Sequence, residues 1–218
     1  MITRVSNLEV DANAYTRQLV DSFRERYQCG RDSWTEEPAM ARVAEILLAS
    51  LPPGPHRVLD VGTGRGRDVE LFLRAGHQAT GLDIVSVPEW QALRERWGTA
   101  VTLVESPFTA FRCDLPFTAV LDNGCFHHQH PSEYATYLAH MRDLMDPGAL
   151  ALFSVFTPDE ETEPGAMFLT SEGRINREFS ALQLVTLAEQ AGFEAVSSHR
   201  LRRGDTPLHY LATLFRRP

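Results

Sequence analysis

The chain has 218 residues, 43% hydrophobic and 23% charged, a composition that supports one sizeable globular core and is short for two. Its 21 basic residues against 29 acidic ones leave a net charge of -8, which repels a phosphate backbone and speaks against nucleic acid as a partner. Every basic residue is Arg and none is Lys, so Schiff-base catalysis, pyridoxal phosphate attachment and the Gly-Lys-Ser/Thr phosphate loop are excluded. The cysteines Cys29, Cys113 and Cys125 are odd in number and widely spaced, without the paired spacing of a zinc or redox motif. The N-terminus carries charges throughout, and no apolar run reaches the length of a membrane span. Together these features predict a cytoplasmic protein with no membrane partner; they specify no oligomeric state.

In chain order, apolar residues fall at helical spacing from about Asp11 to Ser50, first Tyr15, Leu19 and Phe23, then Met40, Val43, Ile46 and Leu47. Two helices broken near residues 29–32 are expected, forming an N-terminal helical cap over 1–56 that ends in the proline-rich break at 51–55. From residue 57 short apolar runs alternate with helical ones: strand Val58–Val61, helix Asp68–Ala75, strand Ala79–Asp83, helix Pro88–Trp97 and strand Val101–Val104. Strand Thr118–Leu121, helix Pro131–Met145, strand Ala149–Val155 and helix Ala181–Ala191 follow, with final runs at Ala195–His199 and Leu208–Phe215. This alternation predicts an α/β fold over 57–218, a doubly wound and mostly parallel sheet with helices on both faces. Only the turn-like 202–207 separates the last two runs, too short for a right-handed crossover, so the last strand should enter antiparallel. The non-periodic stretch 157–179 has the length of a lid or binding loop.

The most informative segment is Val-Leu-Asp-Val-Gly-Thr-Gly-Arg-Gly at 58–66, a buried strand entering a glycine loop and then a helix. Glycines let backbone N–H groups approach a ligand, and the helix N-terminus behind them favours an anionic or polar group. Asp83 ends the next strand, where an acid is placed for a pair of ribose hydroxyls in a doubly wound sheet. A nucleoside-bearing cofactor is therefore expected. The dinucleotide fingerprint spaces its glycines differently, and Arg67 fills a slot it reserves for glycine.

At this loop the sequence resembles the class I S-adenosylmethionine-dependent methyltransferases, whose first motif is matched by Asp60, Gly62, Gly64 and Gly66. The later segments Asp-Asn-Gly-Cys-Phe-His-His (122–128) and Asp-Pro-Gly-Ala-Leu-Ala-Leu-Phe-Ser-Val (146–155) resemble small-molecule members near the thiopurine and tellurite-resistance groups, with Ala149 in place of a usual glycine. The resemblance implies a Rossmann-like, seven-stranded sheet with an antiparallel last strand, and S-adenosyl-L-methionine as cofactor. It implies that Asp60 and the 62–66 backbone, Thr63 included, face the methionine end. Asp83 with Ile84 would hold the ribose, Ser106, Pro107 and Phe108 after the third strand would flank the adenine, and Asp122 and Asn123 would close the pocket beneath the sulfonium.

Methyl transfer needs alignment and exclusion of water, and a general base only if the nucleophile arrives protonated. His127 and His128 follow the fourth strand at the edge where open α/β sheets bind ligands, and are the candidate proton acceptors. Tyr27, Trp34 and Phe126 are candidate substrate-binding residues, with Phe156, Met167 and Phe168 as further apolar roof. Arg174 and Arg177 are candidate clamps for a substrate carboxylate. The histidines lack the spacing of a zinc helix, and the acidic run Asp159, Glu160 and Glu161 reads as a solvated face rather than a magnesium site, so no metal is expected. The reading is a methyltransferase acting on an O, N or S nucleophile of a small-molecule substrate. Two alternatives stay open, an NAD(P)-dependent oxidoreductase on a related sheet and a non-catalytic cofactor-binding homologue.

Overall fold

The computed structural model describes residues 3–5, 10–159, 165–204 and 209–218. The main sheet is built from strands β2 (Arg57–Val61), β3 (Gln78–Asp83), β4 (Val101–Glu105), β5 (Phe117–Asn123), β6 (Met145–Thr157), β9 (Glu194–Arg202) and β10 (His209–Arg216), in the order β4-β3-β2-β5-β6-β10-β9. β4, β3, β2, β5 and β6 pair in parallel, whereas β10 runs antiparallel to both β6 and β9. The seven-stranded, doubly wound sheet with an antiparallel last strand is the architecture read from the sequence. Leu208 and residues 205–207 of the final turn lie outside the described residues.

Helices α3 (Arg67–Arg74), α4 (Glu89–Trp97), α5 (Tyr134–Asp143) and α6 (Ala181–Gln190) flank the sheet. The expected helix Pro131–Met145 begins as a short 3-10 turn at Pro131–Glu133 and ends by Asp143, because Met145 already pairs with Phe117 in the sheet.

The first 56 residues divide by packing. Helix α2 (Pro38–Ser50) contributes Val43, Ala44 and Leu47, all fully buried, to the cluster that holds Val58, Leu150 and Leu152 of the main sheet. Helix α1 (Ala12–Gln28) instead puts Tyr15 and Leu19 against Met167 and Ile175. Those two residues belong to strands β7 (Met167–Leu169) and β8 (Ile175–Arg177), which form a small antiparallel sheet with β1 (Thr3–Val5). The stretch 157–179, expected to be non-periodic, therefore carries a hairpin. Strands of three residues are too short to show an alternation, and the partner strand lies at the far end of the chain.

The turn after β5 sorts its residues by chemistry. Asp122 Oδ1 accepts from the N–H of Cys125 (2.8 Å) and of Phe126 (3.1 Å), and Tyr137 donates its hydroxyl to Oδ2 (2.6 Å). This pulls the chain into a 3-10 turn over Phe126–His128. Phe126 is thereby driven into the core, fully buried among Tyr134, Tyr137, Phe153 and Phe179 with ring centroids 4.9–5.7 Å away. It was expected on the substrate side; the inward turn of the backbone puts it there instead, and it does not reach the cavity described below. Phe126→Ala is predicted to cost about 3–5 kcal/mol in denaturant unfolding through loss of contacts and an unfilled void; a cost under about 1 kcal/mol would contradict this placement.

Candidate active site

Above the carboxyl ends of β2, β3 and β5 lies a cavity of about 200 Å³. Its floor is Val61, Gly62, Leu82, Asp83, Ile84 and Asn123; Ser106, Pro107 and Phe108 line one flank, and the roof comes from Tyr15, Leu19, Phe23 and Tyr27 of α1 with Trp34. His127, His128, Phe156, Arg174 and Asn176 close the other end. Fold and site meet because the small sheet and α1 cover the edge of the main sheet, where the strand order reverses between β2 and β5 and open α/β sheets place ligands.

The glycine loop works differently from its sequence reading. Gly62 and Thr63 both spend their N–H groups on the carbonyl of Leu82 (2.7 and 3.0 Å), and the Gly64 N–H goes to Asp83 Oδ2 (2.9 Å). These amides therefore fasten the loop to β3 and the glycines supply room. A Cβ on Gly62 (φ +77°) would lie 2.1 Å from Cys125 Sγ, and one on Gly66 (φ +87°) would lie 2.3 Å from Leu93 Cδ1. Gly64, Gly66 and Thr63 stand behind the cavity wall.

Asp83 sits where expected, at the end of β3, with Val85 N–H on Oδ1 (3.0 Å) and the Tyr27 hydroxyl 3.3 Å from Oδ2. Burial pushes its carboxyl up to about 6, against the lowering effect of the Gly64 and Val85 N–H groups. Asp60 is buried at the end of β2 with no hydrogen-bond partner on Oδ2 among the described residues. Burial first, then the neighbouring Asp68, holds it well above the usual carboxylate range. An acceptor atom without a partner has the chemistry to receive an ammonium group, although Asp60 lies behind Val61 and Gly62 and does not itself line the cavity. Asn123 donates to the carbonyl of Met40 (2.9 Å) and to Asp68 Oδ2 (2.7 Å), leaving its buried Oδ1 unpartnered among the described residues. Asp122, expected beneath the cofactor, does not reach the cavity, since the turn and Tyr137 take both of its oxygens.

The two histidines are wired into each other. Phe156 donates its N–H to His127 Nδ1 (3.2 Å), which fixes the His127 proton on Nε2. His128 Nδ1 lies 2.6 Å from the carbonyl of Ile175, which can only accept, so His128 carries its proton there. The remaining contact, Nε2 to Nε2 at 3.1 Å, is then a hydrogen bond from His127 to His128. All four ring nitrogens are consumed. Burial, assisted by the charges of Arg174 and Arg203 for His127 and by His127 and Arg174 for His128, holds both well below the usual imidazole value. A proton acceptor for the substrate was the expectation; this arrangement offers two neutral rings with no free lone pair, a wall rather than a base.

Tyr27, Trp34, Phe156 and Arg174 line the cavity as expected. Met167 is instead core for α1, and Arg177 lies over the Phe179 ring at 5.5 Å. Lining residues that the sequence reading missed include Tyr15, Arg26, Asn176, Arg203 and Tyr210. For Tyr15 the sequence carries a signal, because it shares one helical stripe with Leu19 and Phe23. Among the described residues no three His, Cys, Asp or Glu side chains group as metal ligands. Asp159 pairs with His209 Nδ1 (3.2 Å), and Glu160 and Glu161 lie outside the described residues.

A family model described as a methyltransferase domain matches residues 32–198. The chain belongs to this family. A crystal structure of 1,6-didemethyltoxoflavin-N1-methyltransferase from Burkholderia thailandensis, with bound 1,6-didemethyltoxoflavin and S-adenosylhomocysteine, is 39% identical over 99% of this chain and 94% of that chain, with a TM-score of 0.94. The glycopeptide N-methyltransferase MtfA (18% identity, 84% of this chain and 92% of that chain, TM-score 0.63) and the [4+2]-cyclase SpnF (18%, 82% and 81%, TM-score 0.67) share the fold. A search of the curated proteins returns no match. The methyltransferase uses S-adenosylmethionine and acts on a small molecule, as the motifs implied, and the nicotinamide and non-catalytic alternatives fall away.

The buried Asp122 carboxyl is pushed up to about 6, chiefly by desolvation. A folded-state value raised above the unfolded one means that the folded protein prefers the protonated form. Keeping the carboxylate therefore costs stability above about pH 6 and nothing below about pH 4. Asn in its place can still accept from the two N–H groups and meet the Tyr137 oxygen. Asp122→Asn is accordingly predicted to gain about 1–3 kcal/mol over the parent at pH 8 and little at pH 4 in urea unfolding; a stability change at pH 8 no more favourable than that at pH 4 would contradict it.

Proposed function

We propose that this methyltransferase moves the methyl group of S-adenosylmethionine to a nitrogen of a flat heteroaromatic small molecule. The observation that carries the reading is the set of aromatic planes around the cavity. Phe23 and Tyr27 stand edge-on to Trp34 at 5.5 and 5.8 Å, and Phe156 stacks between His127 (4.0 Å) and Tyr210 (5.5 Å). Such walls favour a planar guest, and the whole-chain likeness to an enzyme that methylates N1 of 1,6-didemethyltoxoflavin points the same way.

The cofactor residues follow. Asp83 takes the two ribose hydroxyls in exchange for the Tyr27 hydroxyl, and Ile84 packs beside the sugar. Ser106, Pro107 and Phe108 flank the adenine, and Asp60, whose unpartnered Oδ2 lies behind the Val61–Gly62 floor, is assigned to the ammonium. Asn123 sits beneath the sulfonium, while Thr63, Gly64, Gly66 and Asp122 hold this floor from behind. Once bound, the cofactor supplies an electrophilic methyl carbon; the chain's own work is to orient the acceptor against the aromatic lining of the cavity and to keep water out with α1. We place the protein in the cytoplasm without a nucleic-acid partner, which its free cysteines, its net charge of -8 and the lack of any described helix long and apolar enough to cross a membrane support.

Asp83→Ala removes a charge-assisted acceptor worth about 1.5–3 kcal/mol per bond, so S-adenosylhomocysteine affinity is predicted to fall about 10- to 100-fold or more by titration calorimetry; unchanged affinity would sink the ribose assignment. The acceptor class is tested by incubating the protein with labelled S-adenosylmethionine, 1,6-didemethyltoxoflavin and a panel of fused heteroaromatics bearing ring N–H groups. Transfer of label to none of them would overturn it.

A further inference from the structure

Three arginines line the substrate end of the cavity, and they differ in what neutralises them. Arg26 donates from Nε and Nη2 to both oxygens of Glu172 at 2.7–3.1 Å. Arg203 lies 3.8 Å from Glu37 Oε2. Arg174 is only 7% exposed, its guanidinium carbon lies over the Phe23 ring at 5.1 Å, and its Nε and Nη1 have no hydrogen-bond partner among the described residues. The local sum is three cations against two carboxylates, next to two histidines wired as neutral rings. Burying a guanidinium with unmet donors is costly, and within the described chain only the Phe23 ring and the field of Glu172, which already pairs with Arg26, stand against that cost.

We propose that Arg174 is the anion anchor of the methyl acceptor, so that the heteroaromatic is bound and methylated as the conjugate base of an acidic ring N–H. This rests on the heteroaromatic reading above. It accounts for both oddities together: the missing counter-ion is the substrate, and no general base is needed because the proton has left to solvent before binding. In the transfer, the lone pair of the anionic nitrogen forms the new N–C bond, the C–S bond breaks, and sulfur departs as a neutral thioether. Charge is thus lost from the acceptor, the product no longer neutralises Arg174, and its release is favoured. The unpartnered Oδ1 atoms of Asn123 and Asn176 stand ready to accept from other N–H groups of the same ring system.

The groups facing Arg174 keep the pH test clean. These are Tyr15 and Arg26 from α1, Glu172 from the β7–β8 turn, Arg203 after β9, and His127 and His128. Desolvation pulls Arg174 down to about 10, so it remains a cation at neutral pH, and pushes Tyr15 well above its usual value. Above pH 7 Asp83 is already ionised.

The test has two readouts. First, for each heteroaromatic that the parent methylates, kcat/KM above pH 7 should rise with an inflection at that compound's own N–H pKa, and Arg174→Met should lower it about 10- to 100-fold or more, with partial recovery in Arg174→Lys. Second, without any ligand, Arg174→Met should melt at the same temperature as the parent or about 2–4 °C higher, as expected for removing an unmet buried charge. Active compounds with an N–H pKa above 7 whose rates ignore that ionisation would overturn the anion while leaving the heteroaromatic reading in place. So would an Arg174→Met variant that keeps its kcat/KM or melts well below the parent. If no heteroaromatic is methylated, both readings fail.

Discussion

The arrangement on which the rest of the site depends is a line of hydrogen bonds from the Phe156 N–H through His127 and His128 to the Ile175 carbonyl. Its two ends belong to different sheets, β6 of the main one and β8 of the small one. Tyr15 of α1 crosses it, donating its hydroxyl to the carbonyl of His128 (2.7 Å) and accepting from the Ile175 N–H (2.9 Å). Four separate pieces of chain are held over the sheet edge at one buried point. Because an unmade bond in such a dry network leaves a costly unpaired group, these bonds favour the observed placement of α1 and the small sheet over the cavity.

Accounting for polar atoms then separates scaffold from binding surface. The amides of Gly62, Thr63 and Gly64, both oxygens of Asp122 and all four imidazole nitrogens of the histidine pair are satisfied from within the chain. Among the described residues, what is left unmet on the cavity lining is two amide oxygens at Asn123 and Asn176 and the Nε and Nη1 of Arg174, with a carboxylate oxygen at Asp60 behind the floor. Those atoms are complementary to the two molecules a methyltransferase brings together. The fold itself does not dictate this, since SpnF carries a related sheet for a cyclisation.

Much of the fold was legible because strong local periodicity and one short connection carry it. The alternation from residue 57 onward gave the sheet, and the brevity of 202–207 gave the reversed last strand. Residues whose role depends on contacts far along the chain were not legible. The pairing of β1 with β7 joins Val5 to Met167, and no local pattern announces it. Position alone put His127, His128 and Phe126 at the right edge of the sheet, yet direction decided their roles: the turn capped by Asp122 sends Phe126 inward and the imidazoles toward Phe156 and Ile175. Asp83, expected at the ribose from its place at a strand end, and Arg174, expected as a carboxylate clamp from its charge in a long connection, both line the cavity. That the buried Arg174 lacks a described hydrogen-bond partner for Nε and Nη1, while Arg26 has Glu172, is a matter of three-dimensional pairing.

The central claim is that the histidine pair is a neutral structural wire and not the base. Nitrogen-15 NMR of histidine-labelled protein between about pH 6 and pH 8.5 tests it most directly, since imidazole tautomer and charge are both read from the ring nitrogens. The account predicts that His127 is protonated on Nε2, that His128 is protonated on Nδ1, and that neither titrates across this range. An imidazolium at either position, or a titration near the ordinary imidazole value that shifts when a heteroaromatic acceptor binds, would contradict it.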